Sequence, residues 1–479
     1  MGTDHPSQKR GPSPVYSRDP QVDRSLRYSV RDGVAWSLMF GAGESYLQAF
    51  AVFLKATTAQ ITALAAVPLL LGSVAQLASA WVAGQAIRRK ALIFAGVALQ
   101  SLAWVPIIAL AFIPREASVA LLIAAVTLYY IGGQFAAPPW SSLISDLVPE
   151  RRRGRFFGRR TQLMSIMTFA SLTAAGLALE FSEQRGLAHW GFAGIFGVAL
   201  VARLYSLEQL MRMHEPLARL APLTLPPLGR LLERVRGSDF GRFALFVAFM
   251  NLAVAIASPF FTLYMLRDLD FSYLEFTAAT AFGVLMQFAA LNLWGRLSDV
   301  FGNLRVVQVT SIVFPALPVL WVLFPNFWAI LVFQLIGGVV WAGFSLAAGN
   351  FLYDVASPEK RAAYSAVHQA LSNTAIFAGA LLGGFLATHA PRELQLAGYT
   401  FVFTSGLWLA LCASSVARAV VIAVFLRGLR ETRLVRPISP TALAIRVIRA
   451  NVLAEWLFEL LPGRKRPPKD RPPPPEKPL

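Results

Sequence analysis

Ile144-Ser145-Asp146-Leu147-Val148-Pro149-Glu150-Arg151-Arg152-Arg153-Gly154-Arg155-Phe156-Phe157-Gly158-Arg159-Arg160 separates two long apolar runs. A weaker copy, Leu352-Tyr353-Asp354-Val355-Ala356-Ser357-Pro358-Glu359-Lys360-Arg361-Ala362-Ala363-Tyr364, separates two more in the second half. In both, an acid leaves one run, Pro-Glu follows, and a basic cluster enters the next. So particular a pattern does not recur through composition alone, and the chain reads as two tandem copies of one unit. Other landmarks keep a near-constant offset: Gly84 with Gly295, Asp146 with Asp354, and Val201-Ala202-Arg203 with Val416-Ala417-Arg418. Tandem copies predict two bundles related by an axis along the membrane normal.

The runs themselves predict the membrane. Of 479 residues 56% are hydrophobic and 15% charged, too apolar a balance for a soluble chain of this size. Runs of roughly 20 apolar residues recur about a dozen times, each long enough to cross about 30 Å of hydrocarbon as a helix. A barrel would show short alternating segments instead. The net charge of +18 does not point to nucleic acid, because Lys and Arg concentrate in alternate loops. Arg88, Arg89 and Lys90, Arg151 to Arg160, Arg212 to Arg242, Arg296 and Arg305, Lys360 and Arg361, and both tails carry them. The intervening loops hold only Lys55, Arg115, Arg185, Arg267 and Arg392. This positive-inside bias predicts a multi-pass protein of the cell (inner) membrane with both termini cytoplasmic. Residues 1–27 lack an apolar core and a small-residue cleavage site, so they read as a cytoplasmic arm and not a signal peptide. The lone Cys412 excludes a disulfide framework.

The expected fold is an all-α membrane protein with twelve transmembrane helices in two six-helix pseudo-repeats. Residues 1–31 read as a disordered arm, 32–210 as the first bundle, 211–240 as a Pro-punctuated central cytoplasmic loop and 241–427 as the second bundle. Residues 428–479 read as a tail whose Thr441 to Leu460 stretch is an amphipathic helix on the inner leaflet, ending in a Pro-rich segment. The twelfth span is placed over Tyr399 to Leu426. Gly379-x-x-x-Gly383 and Ala170-x-x-x-Ala174 predict close helix packing in the eleventh and fifth spans.

Gly295-Arg296-Leu297-Ser298-Asp299-Val300-Phe301-Gly302-Asn303-Leu304-Arg305 resembles the inter-span loop motif of the major facilitator superfamily, between the second and third spans of its second half. The first-half counterpart, Gly84-Gln85-Ala86-Ile87-Arg88-Arg89-Lys90, keeps the glycine and the basic end but lacks the acid. The resemblance extends over Val34 to Leu426 and implies a secondary active transporter, a monomer, working by alternating access on a small-molecule substrate and coupled to protons. It also implies that the acid latches the cytoplasmic side. With that acid missing, the latch is expected to rest on Asp299 and on the clusters at Asp146 and Asp354. The cytoplasmic gate is then Asp146, Glu150, Arg155, Arg296, Asp299, Asp354, Glu359 and Arg361. The fifth span lacks the Gly-Pro-Gly-Gly signature frequent in antiporters of the family.

Inside the membrane the residue of interest is Glu44, in Gly41-Ala42-Gly43-Glu44-Ser45-Tyr46-Leu47-Gln48. An acid at mid-span costs about 2.5 to 3.5 kcal/mol on insertion scales, which calls for a partner or a purpose. Gln48, one turn on, is expected on the same face. Arg203 and Arg418 read as arginines that snorkel rather than pair with Glu44. In the family the first, fourth, seventh and tenth spans line a central cavity, so Gln134, Asn251, Gln334 and Trp341 join Glu44 and Gln48 as candidate proton-coupling or substrate contacts. The chain has no phosphate-cradling loop and its five His show no metal-ligand spacing, so neither an enzyme nor any cofactor or metal is expected. The alternative is a non-transporting membrane sensor or scaffold that keeps the fold.

Overall fold

The computed structural model describes residues 16–17, 19–83, 88–113, 115–149, 152–216, 238–355, 361–391, 393–396, 399–403, 405–429, 431, 435–436 and 438–449. Among these residues, eleven helices are long and apolar enough to cross a membrane. Helices are what hydrocarbon demands, since each satisfies its own backbone N–H and C=O groups. The first of the twelve expected spans is missing from the eleven for a physical reason. Its helix Pro20–Ala42 opens with Asp23, Arg24, Arg27, Arg31 and Asp32, then breaks into a tight turn, Glu44–Tyr46, before resuming as Leu47–Phe53. With this span counted, the fold is the expected twelve-helix one.

The other spans follow in order. The second is Thr58–Ala83, the third Arg89–Leu102 continued by Trp104–Ala109, the fourth Arg115–Leu147, the fifth Arg153–Glu183 and the sixth Ala188–Arg212. The second half repeats the plan with Asp239–Ala255 continued by Phe260–Leu263, then Tyr273–Phe301, and Asn303–Val313 continued by Ala316–Leu323. Phe327–Val355, Arg361–His389 and Trp408–Phe425 complete it.

Three expectations are corrected. The arm over 1–31 is not disordered throughout: helix starts at Pro20, where the Asp19 side chain caps the backbone N–H groups of Gln21 and Val22. The twelfth span does not begin at Tyr399, because Tyr399–Val402 is a strand paired antiparallel with Glu393–Leu396 in a hairpin. The tail helix Pro440–Arg449 packs on protein: Leu443 is fully buried in the second-half core and Arg446 lies 5.0 Å from the Phe301 ring centroid. Residues 450–460 of the expected amphipathic helix, the Pro-rich end and most of the central loop lie outside the described residues.

The two halves are joined unevenly. One core cluster takes residues from both, with Tyr46, Phe50, Trp104 and Phe192 from the first half beside Phe260, Tyr264, Phe276 and Trp321 from the second. It lies toward the end of the molecule whose loops are poor in arginine. Two further clusters belong to single halves. Leu26, Ile93, Leu143, Phe156 and Leu210 pack together at the arginine-rich end of the first, and Phe243, Trp294, Phe344 and Phe351 pack within the second. Most polar contacts between halves follow the same bias, with one deeper along the spans, where Asn373 Nδ2 of the eleventh donates to Ser73 Oγ of the second at 2.6 Å. The Tyr46 hydroxyl donates to the Leu172 carbonyl at 2.7 Å and lies 2.9 Å from Thr277 Oγ1 across the divide. The Leu274 N–H donates to Glu180 Oε2 at 3.0 Å, and Arg267 Nη1 donates to Thr58 Oγ1 at 3.3 Å.

Glycines permit the tightest helix approaches. At Gly379 and Gly383 a Cβ would press into the Leu252 and Ile256 carbonyl oxygens of the seventh span, so the predicted packing surface is real. The Ala170 and Ala174 surface is not one, since both residues are exposed.

Candidate functional site: one polar cavity in each half

Glu44 sits where its helix breaks, and the sequence around it explains how other helices close over the break. A Cβ at Gly41 would collide with the Ser171 side chain, and one at Gly43 would lie 2.6 Å from both the Ala199 side chain and the Trp104 ring. Only glycine at these positions lets the third, fifth and sixth spans approach so closely. The carboxylate is then held from the fourth span, with the Tyr129 hydroxyl donating to Oε2 at 2.6 Å and the Tyr130 hydroxyl to Oε1 at 3.0 Å. Two donors on two oxygens suit the ionised acid, which accepts only.

This carboxylate faces a cavity of about 400 Å³ lined by the first, third, fourth, fifth and sixth spans. Asp32, Arg160 and Arg203 share its wall. Arg160 Nη2 reaches Asp32 Oδ2 at 3.4 Å, and its guanidinium carbon lies 4.9 Å from the Trp140 ring centroid. The Ser206 hydroxyl donates to Asp32 Oδ1 at 2.7 Å and accepts from Arg203 Nη1 at 2.8 Å, while Arg203 Nε donates to Gln100 Oε1 at 2.8 Å. Arg203 therefore does not snorkel. It is 6% exposed and bonded into the bundle, which the sequence reading got wrong. The wall holds two acids and two arginines, so it is neutral when Glu44 is ionised.

The second half has its own cavity, of about 300 Å³, lined by the seventh, eighth, ninth, tenth and twelfth spans. Gln287, Gln334, Trp341 and Arg418 line it. Arg418 does not snorkel either: it is 4% exposed and its Nη1 donates to the Phe314 carbonyl at 3.0 Å.

The candidates thus divide. Glu44 and Gln134 share the first cavity, whereas Gln334 and Trp341 line the second. Gln48 is set off from Glu44 by the helix break and lines neither, and Asn251 lines neither.

The gate residues separate too. Arg89, 3% exposed, donates through Nη1 to Asp146 Oδ2 at 2.6 Å and to the Ser142 hydroxyl at 3.0 Å, and through Nη2 to the Pro216 carbonyl at 3.1 Å. Lys90 Nζ donates to the Met211 and Met213 carbonyls at 2.6 and 3.0 Å. The basic end of the acid-less first-half loop is therefore anchored within its own half. Asp299 is exposed and makes no ion pair among the described residues in this arrangement. Beside it Glu431, past the twelfth span, accepts from the Leu304 N–H at 2.9 Å. Arg296 is exposed as well. Glu150 and Glu359 lie outside the described residues, as do the side chains of Arg155, Asp354 and Arg361.

A sequence model of the Major Facilitator Superfamily matches residues 242–462, the half whose loop motif keeps its acid. Solved structures of that fold align with nearly the whole chain. The second half thus matches the major facilitator superfamily in sequence, and the whole chain has the fold of these transporters. A crystal structure of the nucleoside transporter NupG aligns with a TM-score of 0.62 at 12% identity, covering 85% of this chain and 100% of that one. A bacterial homologue of the human lysosomal transporter Spinster, inward-facing and occupied, aligns with a TM-score of 0.63 at 14% identity, covering 86% and 98%. A bacterial homologue of the iron transporter ferroportin, inward-facing, aligns with a TM-score of 0.64 at 14% identity, covering 84% and 98%. A search among curated proteins found no sequence match. The family is one of membrane transporters rather than enzymes.

Sequence reasoning missed Asp32, Gln100, Tyr129, Tyr130, Arg160 and Gln287. Arg160 was counted among the loop arginines, and Asp32, at the very start of the first bundle, was passed over. Tyr129-Tyr130 and Gln100 stand within apolar runs, where polar groups signal a buried partner. The matching positions of Arg203 and Arg418 in the two repeats were a signal present in the sequence, read only as evidence of duplication.

Proposed function

We propose that the protein is a secondary active transporter of small solutes that works by alternating access and couples to protons through Glu44. The observation that carries the proposal is the placement of this acid. A carboxyl group lies at a helix break inside the membrane, on the wall of a polar cavity, with two tyrosine hydroxyls on its oxygens. The ionised form balances the two arginines of the wall. Protonation leaves one excess positive charge in a low-dielectric site and deprives one tyrosine of its acceptor, so proton arrival changes both charge and hydrogen bonding. A buried carboxyl with that consequence is a coupling device and not merely a packing group.

The uneven joining of the halves supports the rest. With the arginine-rich end taken as cytoplasmic, the shared core cluster and the Tyr46–Thr277, Glu180–Leu274 and Arg267–Thr58 contacts close the outer side. That is an inward-facing arrangement, the one that rocking of two rigid bundles exchanges for its opposite. In this reading the Arg89–Asp146 cluster stiffens the first bundle so that it moves as a unit. Both termini then lie in the cytoplasm.

The test is reconstitution in liposomes under an imposed proton gradient, with internal pH followed by a trapped dye during a solute screen. The wild-type chain couples the flux of some solute to proton entry, and Glu44→Gln removes the dependence on the gradient. Gradient-driven flux that survives in Glu44→Gln refutes the coupling role. A wild-type chain that moves no solute refutes transport and favours a sensor.

A further inference from the structure

The two cavities differ in charge. In the first, Arg203 is matched by acids on the same wall and its Nε and Nη1 are both bonded. At the equivalent place in the second repeat, Arg418 has no such company. No acid lines its cavity, none of the ion pairs among the described residues includes it, and its buried Nε has no hydrogen-bond partner among them. A single bond from Nη1 to the Phe314 carbonyl is all that the described residues supply. A guanidinium is charged under every physiological condition and offers five N–H donors in a planar fork. Buried without a counter-ion, it is costly, because nearby charge or hydrogen bonds must offset its lost hydration.

We infer that the second-half cavity binds an anionic group, a carboxylate on an apolar body, with Arg418 as its counter-charge. The rest of the wall fits that chemistry. Gln287 and Gln334 are half-buried and make no hydrogen bonds among the described residues, so their amides are free to donate to a second oxygen. Trp341, Trp321 and Phe333 give the remainder of the cavity aromatic surface, which suits an apolar ligand body. Pairing of a guanidinium with a carboxylate is bidentate in its favoured geometry, so Arg418 selects for the planar anion as well as for charge. The inference does not rest on the transport reading, since a binding-only protein would use the same pocket in the same way.

The experiment measures binding and not flux. The full-length chain is placed in nanodiscs of phosphatidylcholine and, separately, of phosphatidylcholine with phosphatidylglycerol. It is titrated calorimetrically with 2-naphthoate and with its neutral isostere 2-naphthamide. We expect naphthoate to bind at least about tenfold more tightly than naphthamide in both lipids. Arg418→Gln is expected to abolish that preference and Arg418→Lys to keep part of it. Should Arg418→Gln not fold, the preference for naphthoate in the wild type and its reduction in Arg418→Lys still decide the matter. Equal binding of acid and amide, no naphthoate binding, or an undiminished preference in Arg418→Gln overturns the proposal. Naphthoate binding that is lost only in phosphatidylglycerol discs also overturns it, because a lipid headgroup would then be the occupant.

Discussion

At the scale of single residues, the account depends on charges buried with chosen partners. Glu44 is served by two hydroxyl donors, so Tyr129→Phe or Tyr130→Phe leaves one carboxylate oxygen short of a bond. Each change is expected to destabilise the folded chain by about 1 to 3 kcal/mol and to shift the pH dependence of proton-coupled flux toward higher pH, because the ionised acid loses support. Melting followed in detergent and flux followed across pH check the two effects separately; an unchanged pH profile would show that the hydroxyls do not stabilise the ionised carboxylate. Outside the membrane, burial pushes the Asp23 carboxyl up, but the Tyr16 and Ser17 N–H groups at 2.6 and 3.1 Å and the Arg27 guanidinium at 2.9 Å outweigh it and hold it below its ordinary value. A depressed carboxyl contributes stability that is present above its unfolded value of about 3.9 and is lost as pH falls through the lower folded one. Thermal melting of wild type and Asp23→Asn is therefore expected to differ at neutral pH and to converge in acid; a gap that persists at low pH contradicts the assignment. The sequence singled out Glu44 because mid-span acids are rare. It did not reveal the acid's partners, since which face of a uniformly apolar helix meets which neighbour is set by packing in three dimensions. Asp32 and Arg160 were missed for the opposite reason: they lie where charge is common, and only packing shows that they are buried against each other.

At the scale of elements, apolar runs, loop charges and small-residue spacing were all legible, and element ends were not. The break at Glu44–Tyr46 and the hairpin before the twelfth span each carry polar residues, Glu44 and Ser45 in one and Glu393, Gln395 and Thr400 in the other, but a few polar residues beside long apolar runs do not say where a helix ends. The two small-residue patterns show the same limit. Gly379 and Gly383 meet the seventh span while Ala170 and Ala174 are exposed, although both pairs share one spacing. Gly383→Ala is accordingly expected to destabilise by about 1 to 3 kcal/mol through overpacking against the Ile256 carbonyl, whereas Ala174→Leu should be nearly neutral. Denaturation of the two variants side by side tests the contrast, and equal losses would mean that the eleventh and seventh spans are not so closely packed. The tail helix makes a similar point. Its amphipathic pattern was correct, yet the pattern does not say whether lipid or protein receives the apolar face.

At the scale of the molecule, the duplication read from two loop motifs is what the fold displays, two six-helix halves with a polar cavity in each. The central claim is that these halves rock, and that the described arrangement is the one closed on the arginine-poor side. Gly176 and Thr277 offer direct access to this claim, because a Cβ at position 176 would touch the Thr277 side chain across the divide. With Cys412 replaced by Ser, a Gly176→Cys/Thr277→Cys pair is expected to form a disulfide that fixes the closed side once the fifth and eighth spans part by about 1 to 2 Å, since the two Cβ atoms would otherwise lie 2.5 Å apart where the bond needs about 3.5 to 4.5 Å. A further cysteine at Gln134, on the first cavity wall, is then labelled with a membrane-impermeant maleimide in right-side-out and inside-out vesicles. The account predicts labelling from both sides when the pair is reduced, and from the cytoplasmic side alone when it is oxidised. Labelling from one and the same side in both states would contradict it.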